Sequence, residues 1–300
     1  MEFGLIFLGT SAAVPTKKRR LPCIAVVYKG SVLLFDPGEG CQYSLLEAGL
    51  SIHKVELIAI THLHGDHVFG LPGLLQSMSM SNRQTPLTII GPKGLQEFIE
   101  KLLKATSHRP SYPLRIGIVS NNAMYPFAGE LQVRAFKTKH SIESYGYIIE
   151  EKDKRRILVD KLRELGLKPG PYLRELKEGK DVRVGDILLR ANELTEIVRG
   201  VKIVYTGDTA PLSDLAPIIE RATIIIHDAT FTQEHADRAY KEGHSTSRDA
   251  AIVASKSGSE LLVLTHISAR YDDPAPLLEE AGRIFNNVIV AEDFMKIVIR

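Results

Sequence analysis

Ile60-Thr61-His62-Leu63-His64-Gly65-Asp66-His67 places four lone-pair donors within six residues. Imidazole nitrogens and a carboxylate at this spacing suit zinc or another first-row divalent ion. A His-rich surface loop or a purification tag would be the bland account. A tag would be terminal and lack Asp, whereas this cluster follows an apolar run, residues 55–60, that reads as a buried strand. Three more donors stand at the ends of other apolar runs. His140 follows residues 131–136, Asp208 follows residues 201–205, and His266 follows residues 261–264. Any one of these alone reads as structural. At the ends of parallel core strands, however, they can converge on one edge of a sandwich. Seven donors exceed the four of a tetrahedral ion and suit two, with a carboxylate such as Asp208 able to bridge. Two ions roughly 3.5–4 Å apart clamp the attacking and leaving oxygens of a displacement.

The elements that must position these donors alternate between strand and helix. Residues 69–80 read as a helix, so the His cluster sits on a loop whose sharp turn Gly65 allows. Upstream, residues 4–8 form a first strand within the stretch Met1 to Gly9. A hairpin follows through Lys29-Gly30-Ser31. Asp36-Pro37-Gly38-Glu39-Gly40 leads into a helix ending near Ala48. Asp36 fits two roles equally, orienting the metal cluster or capping that helix. The basic run Lys17-Lys18-Arg19-Arg20 reads as a solvated loop. Strands at 87–90, 145–149, 223–226, 287–290 and 295–299 are predicted, with helices at 93–104 and 248–257.

The 300 residues, 44% hydrophobic and 25% charged, describe a soluble globular chain of one or two domains. A net charge of +2 does not announce a nucleic-acid binder. No apolar run approaches the ~20 residues that cross a bilayer, so no membrane partner is expected. Cys23 and Cys41 give no disulfide framework; both are expected to pack, in a reducing cytoplasm. Charge is local: residues 152–180 carry a net of +5, leaving −3 elsewhere. Within them Pro169 and Pro171 forbid a regular helix. The segment reads as an inserted arm flanked by short helices. Its charge and an exposed Tyr172 favour binding a polyanion over a charged loop with no partner.

The His-x-His-x-Asp-His signature, with His140, Asp208 and His266 following in order, resembles the metallo-β-lactamase superfamily along essentially the whole chain, Glu2 to Arg300. Phe7-Leu8-Gly9-Thr10 with Pro15, Phe35-Asp36-Pro37-Gly38-Glu39-Gly40, Gly170-Pro171 in a basic arm and Tyr205-Thr206-Gly207-Asp208-Thr209 narrow it. So does Gly243-His244-Ser245-Thr246 after His227-Asp228-Ala229-Thr230. Together they resemble the short form of the ribonuclease Z family, endonucleases that mature transfer RNA 3′ ends.

That resemblance implies an α/β fold: one domain over residues 1–300, a four-layer αββα metallo-β-lactamase sandwich, with a flexible arm inserted at 152–185. It implies two zinc ions per subunit, one on His62, His64, His140 and Asp208, the other on Asp66, His67, Asp208 and His266. Asp66 would orient the attacking water and accept its proton. His244 would protonate the leaving oxygen, oriented by Asp228, where many relatives carry the longer Glu. A mere helix-capping neighbour is the alternative for His244. Lys168, Gly170, Pro171, Tyr172, Arg174 and Lys177 would form the tRNA-binding arm. The implied protein is a cytoplasmic homodimer that hydrolyses one phosphodiester bond of precursor tRNA, releasing the 3′ trailer and leaving a 3′-hydroxyl.

Overall fold

The computed structural model describes residues 3–299; Met1, Glu2 and Arg300 lie outside the described residues. The chain divides into two compact units, one comprising residues up to Ile149 together with Lys202 onward, the other Glu150–Val201.

The first unit carries two seven-stranded sheets. In the first, the spatial order is Lys296–Val298, Phe3–Gly9, Cys23–Tyr28, Ser31–Phe35, Val55–Ala59, Leu87–Gly91, Leu114–Ile118. In the second it is Val288–Val290, Leu261–Thr265, Ile224–Asp228, Lys202–Tyr205, Tyr145–Glu151, Leu131–Lys137, Met124–Phe127. Phe35 of the first sheet packs on Tyr147 and Tyr205 of the second, with ring centroids 5.7 and 5.2 Å apart. Apolar helices cover each outer face. Leu71, Leu74, Leu75 and Met78 of Leu71–Met80, with Leu95 and Ile99, close the first core. Ala250, Val253 and Ala254 of Ser247–Ser257, with Leu277 and Ala281, close the second. The layers are therefore αββα. Strands Cys23–Tyr28 and Ile224–Asp228 are buried throughout. Covered on both faces, they read in the sequence as continuous apolar runs rather than alternating ones.

Local chemistry sets the boundaries. Lys29 and Gly30 both have positive φ, 48° and 88°, the two-residue turn that matches strand twist, so the second hairpin strand begins at Ser31. Thr246 and Asp249 form a capping box on Ser247–Ser257, and Gly258 at φ 62° ends it. Two edge strands escape sequence reading. Leu114–Ile118 contains Gly117 and Met124–Phe127 contains Pro126, residues tolerated at an edge but contrary to strand propensity. Cys23 and Cys41 are free and buried. Among the described residues no helix is long and apolar enough to cross a membrane.

The basic run at 17–20 is not a purely solvated loop. Arg19 is buried, and its Nη1 donates to Thr10 Oγ1 at 2.7 Å and Ala291 O at 2.6 Å. Arg20 pairs with Glu47 at 2.7 Å and lies over the Phe294 ring. Two of the four cations are thus fixed by the core they staple.

The second unit has its own small core of Leu162, Leu176, Leu189, Ala191 and Leu194. Strand Lys154–Ile157 pairs antiparallel with Thr195–Val198, and Val182–Val184 with Ile187–Leu189. Helices Val159–Glu164 and Tyr172–Lys177 flank the Pro-Gly-Pro turn. The compact unit extends beyond the 152–185 expected from sequence, because the returning strand at 195–198 closes its base. Over its full length it holds thirteen basic and eleven acidic side chains, a net of only +2, so the positive excess lies in the 152–180 half. Pro171 is the N-cap of its helix. Tyr172 is not the exposed ring expected: it is half-buried against the small core, and its hydroxyl donates to Lys168 O at 2.6 Å. Gly170 packs beside that ring. Arg174 pairs with Glu178, whereas Lys177 joins Arg155, Arg156 and Arg163 around a cavity of about 610 Å³.

Candidate metal centre

All seven donors come together. The cluster residues follow strand Val55–Ala59, but they do not sit on a simple loop. His64 is the N-cap of a one-turn helix, Gly65–Val68, that carries Asp66 and His67. Gly65 serves close packing rather than an unusual turn. A Cβ there would lie 2.3 Å from Phe69 Cε2. Asp208 follows Lys202–Tyr205, and His266 follows Leu261–Thr265 in the parallel part of the second sheet. His140 follows Leu131–Lys137, whose neighbour Met124–Phe127 is antiparallel, so not every donor ends a parallel strand. Gly207 brings Asp208 in: its φ is 58°, and a Cβ would meet Thr61 Cγ2 at 2.6 Å.

The donors form two sets. His62 Nε2 and His140 Nε2 lie 3.0 and 3.1 Å from His64 Nδ1. Tetrahedral nitrogens bound at ~2.0–2.1 Å sit roughly 3.3 Å apart, so this spacing is that of atoms sharing one ion. In the second set, His67 Nε2 and His266 Nε2 lie 3.5 and 3.6 Å from Asp66 Oδ2. Asp208 Oδ2 stands between the sets, 3.6 Å from His62 Nε2, 3.4 Å from His67 Nε2 and 3.3 Å from His266 Nε2.

Buried atoms in this centre lack the partners that burial demands. His67 Nε2, Asp208 Oδ1 and His266 Nε2 have no hydrogen-bond partner. A buried, unpaired polar atom costs about 1–3 kcal/mol, and a divalent cation would engage these donors. The electrostatics agree. Burial, then the nearby His67, lowers His62 well below the ordinary imidazole range, and burial likewise lowers His64 and His140, keeping lone pairs free. Burial would also lower His67, but the Asp208 and Asp36 carboxylates outweigh it and draw a proton. A field that draws a proton also draws a metal ion.

The outer groups fix the tautomers. Thr61 Oγ1 donates to Asp36 Oδ2 at 2.8 Å, so at 3.0 Å it accepts from His62 Nδ1–H, leaving Nε2 for a metal. Asp36 also accepts from Thr61 N and from the Tyr205 hydroxyl, and stands 2.9 Å from His67 Nδ1. It orients the centre and does not cap the helix Cys41–Glu47, whose N-cap is Gly40. Thr230 Oγ1 repeats the device, donating to Asp228 Oδ1 at 2.7 Å and accepting from His266 Nδ1 at 2.9 Å. His140 Nδ1–H donates to Gly243 O at 2.8 Å. Ala13 N–H donates to Asp66 Oδ2 at 3.1 Å. Sequence reasoning left Thr61, Thr230, Tyr205 and Ala13 out. The signal it had was a Thr adjoining His62 and another two residues after Asp228.

His244 completes the edge. Its Nδ1 lies 2.9 Å from Asp228 Oδ2, and its side chain is 14% exposed. Burial alone would lower it, but the Asp228 carboxylate prevails and pushes it up to about 9. Asp228 is no spare ligand: besides His244, it accepts from Thr209 N, Thr230 N and Thr230 Oγ1. His64, Asp66, His140, Asp208, His244 and His266 open on a cavity of about 570 Å³. Donor sets suited to Lewis-acid cations, a carboxylate and a protonatable imidazole facing one cavity are the groups that phosphate-ester hydrolysis requires.

The chain is similar to known proteins along its length. A family model described as Anti-Pycsar protein Apyc1 matches residues 3–160. Ribonuclease Z of Sulfurisphaera tokodaii is 42% identical over 295 residues, covering 98% of this chain and 97% of that protein. Ribonuclease Z of Bacillus cereus is 41% identical, again covering 98% and 97%. The crystal structure of human tRNase Z, short form, superposes with a TM-score of 0.74 at 28% identity, covering 99% of each chain.

Proposed function

The chain belongs to the ribonuclease Z family, and on that footing we propose that it is a zinc-dependent endonuclease that removes the 3′ trailer from precursor tRNA. One observation carries the reading: two donor sets that share Asp208 Oδ2 at the floor of an open cavity. His62, His64, His140 and Asp208 would hold one ion; Asp66, His67, Asp208 and His266 would hold the other. When bound, the ions would supply Lewis acidity, acidifying water and neutralising charge on the phosphate.

The chain's own groups do the rest. Asp66, held by Ala13 N–H, orients the attacking water and takes its proton. Water oxygen bonds to phosphorus as the bond to the 3′ oxygen breaks. His244 gives its Nε2 proton to that oxygen, leaving a 3′-hydroxyl on the tRNA and a phosphate on the trailer. Asp228 holds His244 in the tautomer and charge state this needs.

The inserted unit, with Lys168, Arg174 and Lys177, would hold the phosphate backbone away from the cut, insensitive to base sequence. By the family pattern it serves the site of a second copy, so the working form is a homodimer, acting in the cytoplasm. A second reading is an enzyme of the same fold with a different substrate, such as a small phosphodiester; the family model matches residues 3–160 only.

The test is to incubate the purified protein with precursor tRNA, with and without chelator, and to sequence the ends. A single zinc-restored cut after the discriminator base is expected. Progressive 3′ trimming, or turnover of small diesters alone, would overturn the tRNA reading.

A further inference from the structure

Phe69 is a large aromatic side chain that the fold leaves 60% exposed. It is nevertheless not loose. Its backbone N–H donates to Gly65 O at 2.9 Å, ending the one-turn helix that carries Asp66 and His67. The Cε2, Cζ and Cδ2 atoms of its ring cover the Gly65 backbone so closely that any Cβ there would overlap them. The ring thus has one side seated on the residue between His64 and Asp66. It lines the same cavity as His64, Asp66 and His244. Among the described residues no other ring or cation lies against it. Burial does not explain it, since the core beneath this segment is closed by Val68 and Leu71.

An exposed aromatic ring packed on the residue between two metal-type donors has an obvious complement in single-stranded RNA. Unpaired bases stack on aromatic side chains, and every base has a π-face, so such a platform tolerates any sequence. We propose that Phe69 is the stacking platform for the nucleobase adjoining the scissile phosphate. It sets the trailer-junction nucleotide in register with Asp66 and His244. This rests on the reading of the protein as an RNA endonuclease and adds a binding residue to it.

The test is a cycle of protein and substrate changes with the zinc-loaded enzyme. Precursor tRNA is compared with the same RNA carrying an abasic nucleotide immediately 5′ or 3′ of the cut. Phe69→Ala is expected to raise KM for intact RNA roughly 5- to 150-fold. On the abasic RNA of one side, wild type should show a similar loss and Phe69→Ala little further loss. Phe69→Trp should retain affinity and Phe69→Leu should not, which separates stacking from simple bulk. Equal losses for Phe69→Ala on intact and abasic RNA would overturn the proposal. So would an abasic substitution that wild type does not notice, a result that needs no variant to fold. If Phe69→Ala instead dissociates the protein in sedimentation without any substrate coupling, the ring belongs to a subunit contact and the proposal fails. Should wild type cut no RNA at all, the endonuclease reading itself falls, a distinct result.

Discussion

His62 and His266 come from opposite sheets, yet both are aimed by the same relay. In each, a buried carboxylate accepts a hydrogen bond from a threonine hydroxyl, and that hydroxyl accepts one from the Nδ1–H of the imidazole: Asp36–Thr61–His62 and Asp228–Thr230–His266. The relay leaves each Nε2 as a lone-pair donor toward Asp208 Oδ2. Thr61→Val and Thr230→Val should each weaken zinc binding about 10- to 100-fold, read by competition with a chromogenic chelator. Thr→Ser should restore it. Unchanged affinity in both Val variants would show that the hydroxyls do not set the tautomer.

His244 lies 2.9 Å from Asp228 but belongs to neither donor set. His244→Ala is therefore expected to lower kcat on precursor tRNA by about 10²–10⁴-fold, with zinc content unchanged by elemental analysis. Asp228→Asn should differ in kind, because Asp228 also anchors Thr230. It should lose both kcat and zinc affinity. A His244→Ala protein that turns over normally would return His244 to the rank of a structural neighbour.

The donors were legible because they stand at strand ends, and a strand end is visible wherever an apolar run stops at a polar residue. His140, Asp208 and His266 are cases in point. What supports them was not. Asp36 reads equally well as a cap, and only the fold brings Tyr205 of the other sheet onto its Oδ2. Arg19 and Tyr172 misled for a related reason. Charge and loop context suggested solvent, while tertiary contacts buried the one and half-buried the other. Periodicity registers a residue's own element, not the element folded across it.

Arg83 went unread for the same cause. It is 1% exposed, and its guanidinium donates to five backbone carbonyls: Thr85, Ile52, His53, Val55 and Pro86. It ties the ends of the strands that begin at Val55 and Leu87. Truncation would leave several buried acceptors unpaired, each costing about 1–3 kcal/mol. Arg83→Ala should lose at least about 3 kcal/mol of stability in urea unfolding and lower Tm by several degrees. Arg83→Lys, with three donors for five acceptors, should recover only part. kcat at 25 °C should stay near wild type, since Arg83 does not line the catalytic cavity. A neutral Arg83→Ala would mean those carbonyls find water.

The inserted unit can be tested without leaving a damaged remnant. Removing residues 166–177 alone would take Leu167, Tyr172, Leu173 and Leu176 out of the small core and unfold what is left. The ends of the unit offer a cleaner cut. Glu151 N–H donates to Val201 O at 2.9 Å, and Gly200 lies against the Glu151 carbonyl, so residues 152–199 can be replaced by a two-residue turn. Since every donor of the metal centre lies outside 150–201, metal content should match that of the full chain. Hydrolysis of bis-nitrophenyl phosphate should also persist. Cleavage of precursor tRNA should fall mainly through a rise in KM, and its dependence on salt should flatten as phosphate contacts are lost. Lys168→Glu with Lys177→Glu in the intact unit should move the same way by a smaller amount. If the shortened protein cuts precursor tRNA with an unchanged KM and salt slope, the unit does not hold substrate.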